Sequence, residues 1–131
     1  MADRILIIDD DTYIRDLYEE VLKGEGFTVE TAKDGEEGLI KLTAGGYQAV
    51  LLDIMMPKLD GIGVLTRLKE TPPQAPNGPI LILTNLDHDP MLDKALSLGA
   101  YTHLLKAETL PPALVTAVKD AIASGHSQPG Q

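Results

Sequence analysis

Asp9-Asp10-Asp11, Asp53, Thr84 and Lys106 each follow directly on a short apolar run: Ile5-Leu6-Ile7-Ile8, Ala49-Val50-Leu51-Leu52, Ile80-Leu81-Ile82-Leu83 and the stretch from Tyr101 to Leu105. If those runs are neighbouring strands, the carboxylates meet at one edge, where two unit charges ~4 Å apart repel by about 4 kcal/mol at an effective dielectric near 20. A divalent cation relieves that repulsion. Oxygen ligands without His or Cys nearby favour a hard ion, and Mg²⁺ suits two or three carboxylate or carbonyl ligands plus water. Beside such an ion Asp53 becomes a nucleophile toward phosphorus, forming an aspartyl phosphate. Lys106 can then pair with a phosphoryl oxygen as a point charge, and Thr84 can donate its hydroxyl. The plainer reading has the aspartates capping a helix and Thr84 and Lys106 serving the fold. It explains one Asp well, but not three in a row matched by Asp53 on the next strand.

The elements that must position these groups alternate along the chain. The apolar runs, with Phe27-Thr28-Val29, mostly lack polar alternation, as expected of parallel strands covered on both faces. Between them lie helical patterns. Ile14, Leu17, Tyr18 and Val21 form a stripe closed by Gly24 and Gly26. Asp34 and Glu37 have capping-box spacing before Leu39, Ile40 and Leu42, and Asp60 precedes Val64, Leu65 and Leu68. Asp89-Pro90 reads as a helix start leading into Leu92, Ala95 and Leu96, with Gly99 as the stop. Thr109 to Ala123, with Pro111 and Pro112 in the first turn, carries Val115, Val118 and Ile122. Five strand-then-helix units with right-handed crossovers give an α/β, doubly wound five-stranded parallel sheet. Order 2-1-3-4-5, flavodoxin-like, is expected from that architecture rather than from spacing. Residues 71–79 read as a stiff loop, 1–123 as one domain, and 124–131 as a flexible tail or the start of a linker.

Composition removes several functions. With 131 residues, 44% of them hydrophobic, the chain fits one domain, and with no cysteine it has no disulfides, thiolate metal sites or cysteine nucleophile. Twenty acidic residues against 11 basic ones give a net charge of -9, and no two basic residues are adjacent. Direct nucleic-acid binding is therefore not expected. No apolar run approaches the ~20 residues that cross a bilayer, and the first residues have no signal-peptide profile, so a cytoplasmic protein without membrane insertion is expected.

Over its whole length the sequence resembles the receiver domains of two-component response regulators. The resemblance is carried by Asp9-Asp10, by Asp53-Ile54-Met55-Met56-Pro57-Lys58-Leu59-Asp60-Gly61, by Thr84, by Gly99-Ala100 and by Lys106. It implies that Asp53 accepts a phosphoryl group from a histidine of a kinase or phosphotransfer protein. It also implies that Asp10, Asp53 and the Met55 backbone carbonyl hold Mg²⁺, with Asp9 acting through water. Thr84 and a residue at the position of His103 would form the switch, remodelling the face of the fourth helix, fifth strand and fifth helix for a downstream protein target. Such a domain catalyses only its own phosphorylation and dephosphorylation.

The sequence departs from the family pattern at Ala107, where proline usually follows the lysine, at His103, usually Tyr or Phe, and at Asn85, usually a small residue. A cis bond before a non-proline residue costs ~2.5–4 kcal/mol, so the loop after Lys106 is expected either trans or strained. Met55 and Leu86 offer no polar group to orient water, which implies slow loss of phosphate. His88, between Asp87 and Asp89, reads as loop rather than metal ligand, and His126 carries no role. A receiver acting as a phosphorylation-independent binding module is the alternative. A phosphohydrolase of the haloacid dehalogenase type would want an Asp where Met55 stands, and a flavin carrier would not place three aspartates against its phosphate.

Overall fold

The structure, a computed structural model, describes residues 2–85 and 90–125. Five strands, β1 (Arg4–Ile8), β2 (Thr28–Ala32), β3 (Ala49–Asp53), β4 (Ile80–Thr84) and β5 (Thr102–Leu105), alternate with five helices. These are α1 (Thr12–Gly24), α2 (Gly35–Ala44), α3 (Gly61–Glu70), α4 (Pro90–Ser97) and α5 (Pro111–Ala123). All strand pairs are parallel, in the order β2-β1-β3-β4-β5. The order expected from the architecture is the order found.

Alternation along the strands splits the core in two. Leu6, Ile8, Val50, Leu52, Ile80 and Ile82 pack with Leu42, Val64, Leu65, Leu68, Leu92 and Ala95 of α2, α3 and α4. Ile5, Ile7, Leu51, Leu81 and Leu83 pack with Tyr18 and Leu22 of α1 and with Leu114, Val118 and Ala121 of α5. Each central strand is thus apolar on both faces, which is why β3 and β4 show continuous burial.

Several boundaries differ from the sequence pattern. Strand β2 begins one residue later than Phe27 and runs through Glu30 and Thr31, because an edge strand tolerates half-exposed polar residues. Helix α5 starts at Pro111, not Thr109: Leu110 is its N-cap without a side-chain bond, and the Thr109 hydroxyl donates to the Leu105 carbonyl at 2.7 Å. Its buried positions are Leu114, Val118 and Ala121, one step away from the Val115 and Ile122 of the expected stripe. Ile40 and Leu96, counted toward apolar faces, are exposed. The Asp34 and Asp60 caps are made, each carboxylate accepting an N–H at 2.8 Å. The Asp89 cap lies outside the described residues, as do Leu86, His88 and His126.

The loop 71–79 is anchored by Asn77, which is buried. Its amide donates to the Leu42 carbonyl at 3.0 Å and its oxygen accepts from the Tyr47 N–H at 3.2 Å. On the site side, Gly61 lets α3 begin against the end of β3. A Cβ there would lie 2.8 Å from the Asp53 carbonyl oxygen and 2.9 Å from the Ile54 Cα. Both obstacles are backbone, so Gly61→Ala is expected to destabilise the fold by about 1–3 kcal/mol. Urea unfolding checks it, and a variant as stable as wild type contradicts the close approach.

Candidate functional site

Register brings the acidic residues together. Ile7 pairs with Leu51 and Ile8 with Leu52, so one step further Asp9 stands beside Asp53. Both continue the odd-numbered row that faces α1 and α5. Asp53 pairs with Leu83 and Leu83 with Leu104, which carries the row across β4 to β5, where Lys106 lies two residues beyond Leu104. The Lys106 N–H donates to the Thr84 carbonyl at 2.8 Å, extending the ladder by one rung.

The three consecutive aspartates divide the work. Asp11 is the α1 N-cap, its carboxylate accepting the N–H groups of Tyr13 at 2.9 Å and Ile14 at 3.3 Å. Asp9 is wholly buried; one oxygen accepts the Asp11 N–H at 2.9 Å and the other lies 2.9 Å from the Lys106 ammonium. Asp10 is exposed and opens into the cleft. Besides any part it takes in holding a metal through water, Asp9 has a role the spacing did not suggest, since its carboxylate pairs directly with Lys106. Helix α1 adds a group that no spacing flagged: the Arg15 guanidinium donates to the Asp9 carbonyl at 2.7 Å, tying the first turn to the end of β1.

Asp53 is 3% exposed. Its carboxylate accepts the Met55 N–H at 3.2 Å and lies 3.3 Å from the Lys106 ammonium. Burial pushes its pKa up to about 7; the Asp9 charge pushes the same way, and Lys106 and the Met55 N–H oppose both. Burial alone would lower the Lys106 pKa, but contact with Asp9 and Asp53 outweighs it and leaves the ammonium above its ordinary value. The lysine is thus fixed as a cation between two carboxylates.

A cleft of about 440 Å³ opens over these groups, lined by Asp10, Asp11, Asp53, Met55, Thr84, Asn85 and Lys106. Ligand oxygens of Asp9, Asp10 and Asp53 all lie within 4.8 Å of one another. This is an all-oxygen set of three carboxylates with one member already drawn toward protonation, the donor chemistry that fits a hard divalent cation. Thr84 is buried at the strand end, and Met55, 59% exposed, stands at the rim. His103 is half-buried on β5 opposite Ile82, away from the cleft lining. The Lys106–Ala107 bond is trans, so of the two loop shapes expected there the one without a cis peptide is present.

The loop from Ile54 to Gly61 brings Met55 to the cleft and leads from β3 into α3. Lys58 has φ 68°, and the Leu59 N–H donates to the Pro57 carbonyl at 2.9 Å, a γ-turn of the uncommon hand. The turn returns the chain so that the Gly61 N–H reaches the Ile54 carbonyl at 3.1 Å, setting α3 directly behind Asp53.

Residues 5–119 match the response regulator receiver domain family. The chain belongs to that family. Relatives of the receiver include a gliding motility regulatory protein of Myxococcus xanthus, 38% identical over 105 residues, 80% of this chain and 13% of that protein. Another is the response regulator MprA of Mycobacterium ulcerans, 39% identical over 106 residues, 81% of this chain and 44% of that one. The chain spans less than half the length of these relatives. Among solved structures, a CheY-like receiver domain of Methanospirillum hungatei superposes with a TM-score of 0.84 at 28% identity, covering 95% of this chain and 97% of that one. The Vibrio cholerae chemotaxis protein CheY4 does so with 0.79 at 25% identity, covering 92% and 99%. The receiver is therefore a signalling domain of two-component response regulators, with an acidic pocket able to bind a metal. Among its described residues no helix is long and apolar enough to cross a membrane.

Proposed function

We propose that this receiver takes a phosphoryl group onto Asp53 from a histidine of a kinase or phosphotransfer protein and relays the change to a downstream protein. The observation that carries the reading is one ammonium, Lys106, 2.9 Å from Asp9 and 3.3 Å from Asp53, at the head of a cleft holding three converging carboxylates. An Asp53 oxygen attacks phosphorus in line, the bond from phosphorus to the donor nitrogen breaks, and its electron pair returns to the imidazole, which takes a proton from solvent. Asp10, Asp53 and the Met55 carbonyl would hold Mg²⁺, with Asp9 supporting the site. Bound there, Mg²⁺ supplies charge neutralisation for the transferring group. Lys106 meets one phosphoryl oxygen, and Thr84 offers its hydroxyl to another as the switch element; His103 is the second switch position. The domain spans 1–123, with 124–131 a tail or linker start. It works in the cytoplasm, and its acidic surface leaves output to protein contact rather than to nucleic acid.

Incubation with Mg²⁺ and acetyl phosphate should give one phosphoryl adduct by intact mass, absent when EDTA replaces the metal. No adduct in Mg²⁺ would sink the reading and favour a phosphorylation-independent binding module. Metal binding should also track the Asp53 proton. With its pKa at about 7, the carboxylate must shed a proton to ligate, so apparent Mg²⁺ affinity should fall roughly tenfold per pH unit below 7 and level off above 8. Calorimetric titration between pH 5.5 and 8.5 measures this; a flat profile contradicts the raised pKa.

A further inference from the structure

The core on the α1 and α5 side contains a polar atom to which none of this chemistry assigns a task. Tyr18 is 1% exposed, and its hydroxyl has no hydrogen-bond partner. A buried hydroxyl left unpaired is unfavourable, and phenylalanine would fill the same space without it.

Tyr18's position in the fold indicates what that hydroxyl can pair with. Helical side chains lean toward the helix N-terminus, and α1 begins at the aspartate loop, so the Tyr18 ring leans toward the carboxyl edge of the sheet. It shares a cluster with Ile7, Leu51 and Leu83, which precede Asp9, Asp53 and Thr84 on their strands. Burial raises the phenol pKa, and the charges of Lys106 and Asp9 both reach the hydroxyl, the first opposing that rise and the second adding to it. The Lys106 ammonium has three protons to place. Asp9 and Asp53 flank it, yet the Asp9 oxygen at 2.9 Å lacks the alignment of a hydrogen bond. Among the described residues, that oxygen and the Tyr18 hydroxyl are the buried side-chain polar atoms without one.

We propose that Tyr18 is a positioning residue for Lys106: its hydroxyl oxygen, without a partner in this structure, takes a hydrogen bond from the ammonium as the phosphoryl group is transferred and holds it at the phosphoryl end of the cleft. The need is greatest as the phosphoryl group arrives on Asp53, when the negative charge moves from the carboxylate to new oxygens and Lys106 must turn to meet one of them. Lys106 then keeps the Asp9 charge beside it, gives a proton to a phosphoryl oxygen in a hydrogen bond, and has a proton to turn to Tyr18. The inference rests on the phosphoacceptor reading of Asp53.

The test is Tyr18→Phe, with Mg²⁺ and acetyl phosphate, monitored by intact mass. The adduct should form roughly fivefold more slowly at saturating Mg²⁺ and donor, while Mg²⁺ affinity stays within about twofold of wild type and Tm does not fall. In a Lys106→Ala background, monitored over hours, Tyr18→Phe should add nothing, since a group acting through Lys106 has nothing left to position. A Tyr18→Phe rate equal to wild type overturns the inference. So does equal slowing in both backgrounds, or slowing accompanied by a lower Tm or weakened Mg²⁺ binding, which would assign the hydroxyl to the fold or the metal. A wild-type protein that forms no adduct removes the phosphoacceptor reading itself, and the inference with it.

Discussion

Asp53→Asn is expected to abolish the phosphoryl adduct and, at the same time, to make the protein more stable. The first effect comes from the chemistry: an amide oxygen is a far weaker nucleophile than a carboxylate, and Asp9, the other carboxylate that Lys106 contacts, is wholly buried and does not line the cleft. The second comes from linkage. Burial and the Asp9 charge lift the Asp53 pKa from 3.8 to about 7 in the folded protein. Between about pH 4 and 7 the folded state therefore holds a proton that the unfolded chain has released, and stability falls as pH rises through that window. Asparagine does not titrate. Its advantage over wild type should be absent near pH 4, grow toward pH 7 and hold steady above 8, reaching on the order of 2 kcal/mol without divalent cations. Urea melts at pH 5 and pH 8 in EDTA measure it, alongside the mass assay. An adduct that survives the substitution would remove Asp53 as acceptor; a variant less stable than wild type at pH 8 would show that Lys106 gains more from Asp53 than burial costs.

Much of this site is legible in the sequence for a specific physical reason. In a parallel sheet every strand delivers its last residue to the same edge, so the residues just beyond each apolar run are the residues of the site. Asp9, Asp10, Asp53, Thr84 and Lys106 are all found that way. The division of labour among the aspartates is not, because capping by Asp11, ion pairing by Asp9 and exposure of Asp10 depend on how tightly the chain turns after Ile8. Arg15 leaves no signal at all, since a single arginine near a helix start is ordinary until its reach to the Asp9 carbonyl is seen. Tyr18 is visible only as one apolar position in a stripe; periodicity places a ring against the sheet but says nothing of its hydroxyl. Edges of elements shift for a similar reason. Strand β2 continues through Glu30, which sequence polarity argues against, because the Arg4 guanidinium at 2.7 Å and the Tyr47 hydroxyl at 2.9 Å satisfy its carboxylate.

Lys106→Ala should be damaging in both respects. Phosphoryl uptake at saturating Mg²⁺ should fall about 100-fold, the usual consequence of removing one fixed charge from a developing transition state. Stability at pH 8 in EDTA should fall by about 3 kcal/mol, because Asp9 and Asp53 are left buried and facing each other with no cation between them. Two further measurements separate this cause from a simple loss of packing. At pH 5 most of the deficit should vanish, since Asp53, already protonating at about 7 with the lysine present, takes up its proton more readily still without it. Added Mg²⁺ should restore more stability to the variant than it adds to wild type, because the carboxylates it would join have lost the lysine's charge and keep only backbone N–H partners. The wild-type lysine has its own window: its raised pKa means that the stability it lends is complete below its ordinary value of 10.5 and is lost as pH climbs through the folded value. If the variant's deficit were the same at pH 5 and pH 8 and indifferent to Mg²⁺, Lys106 would be serving as packing, and the pairing of cation and carboxylates would not be what holds the cleft.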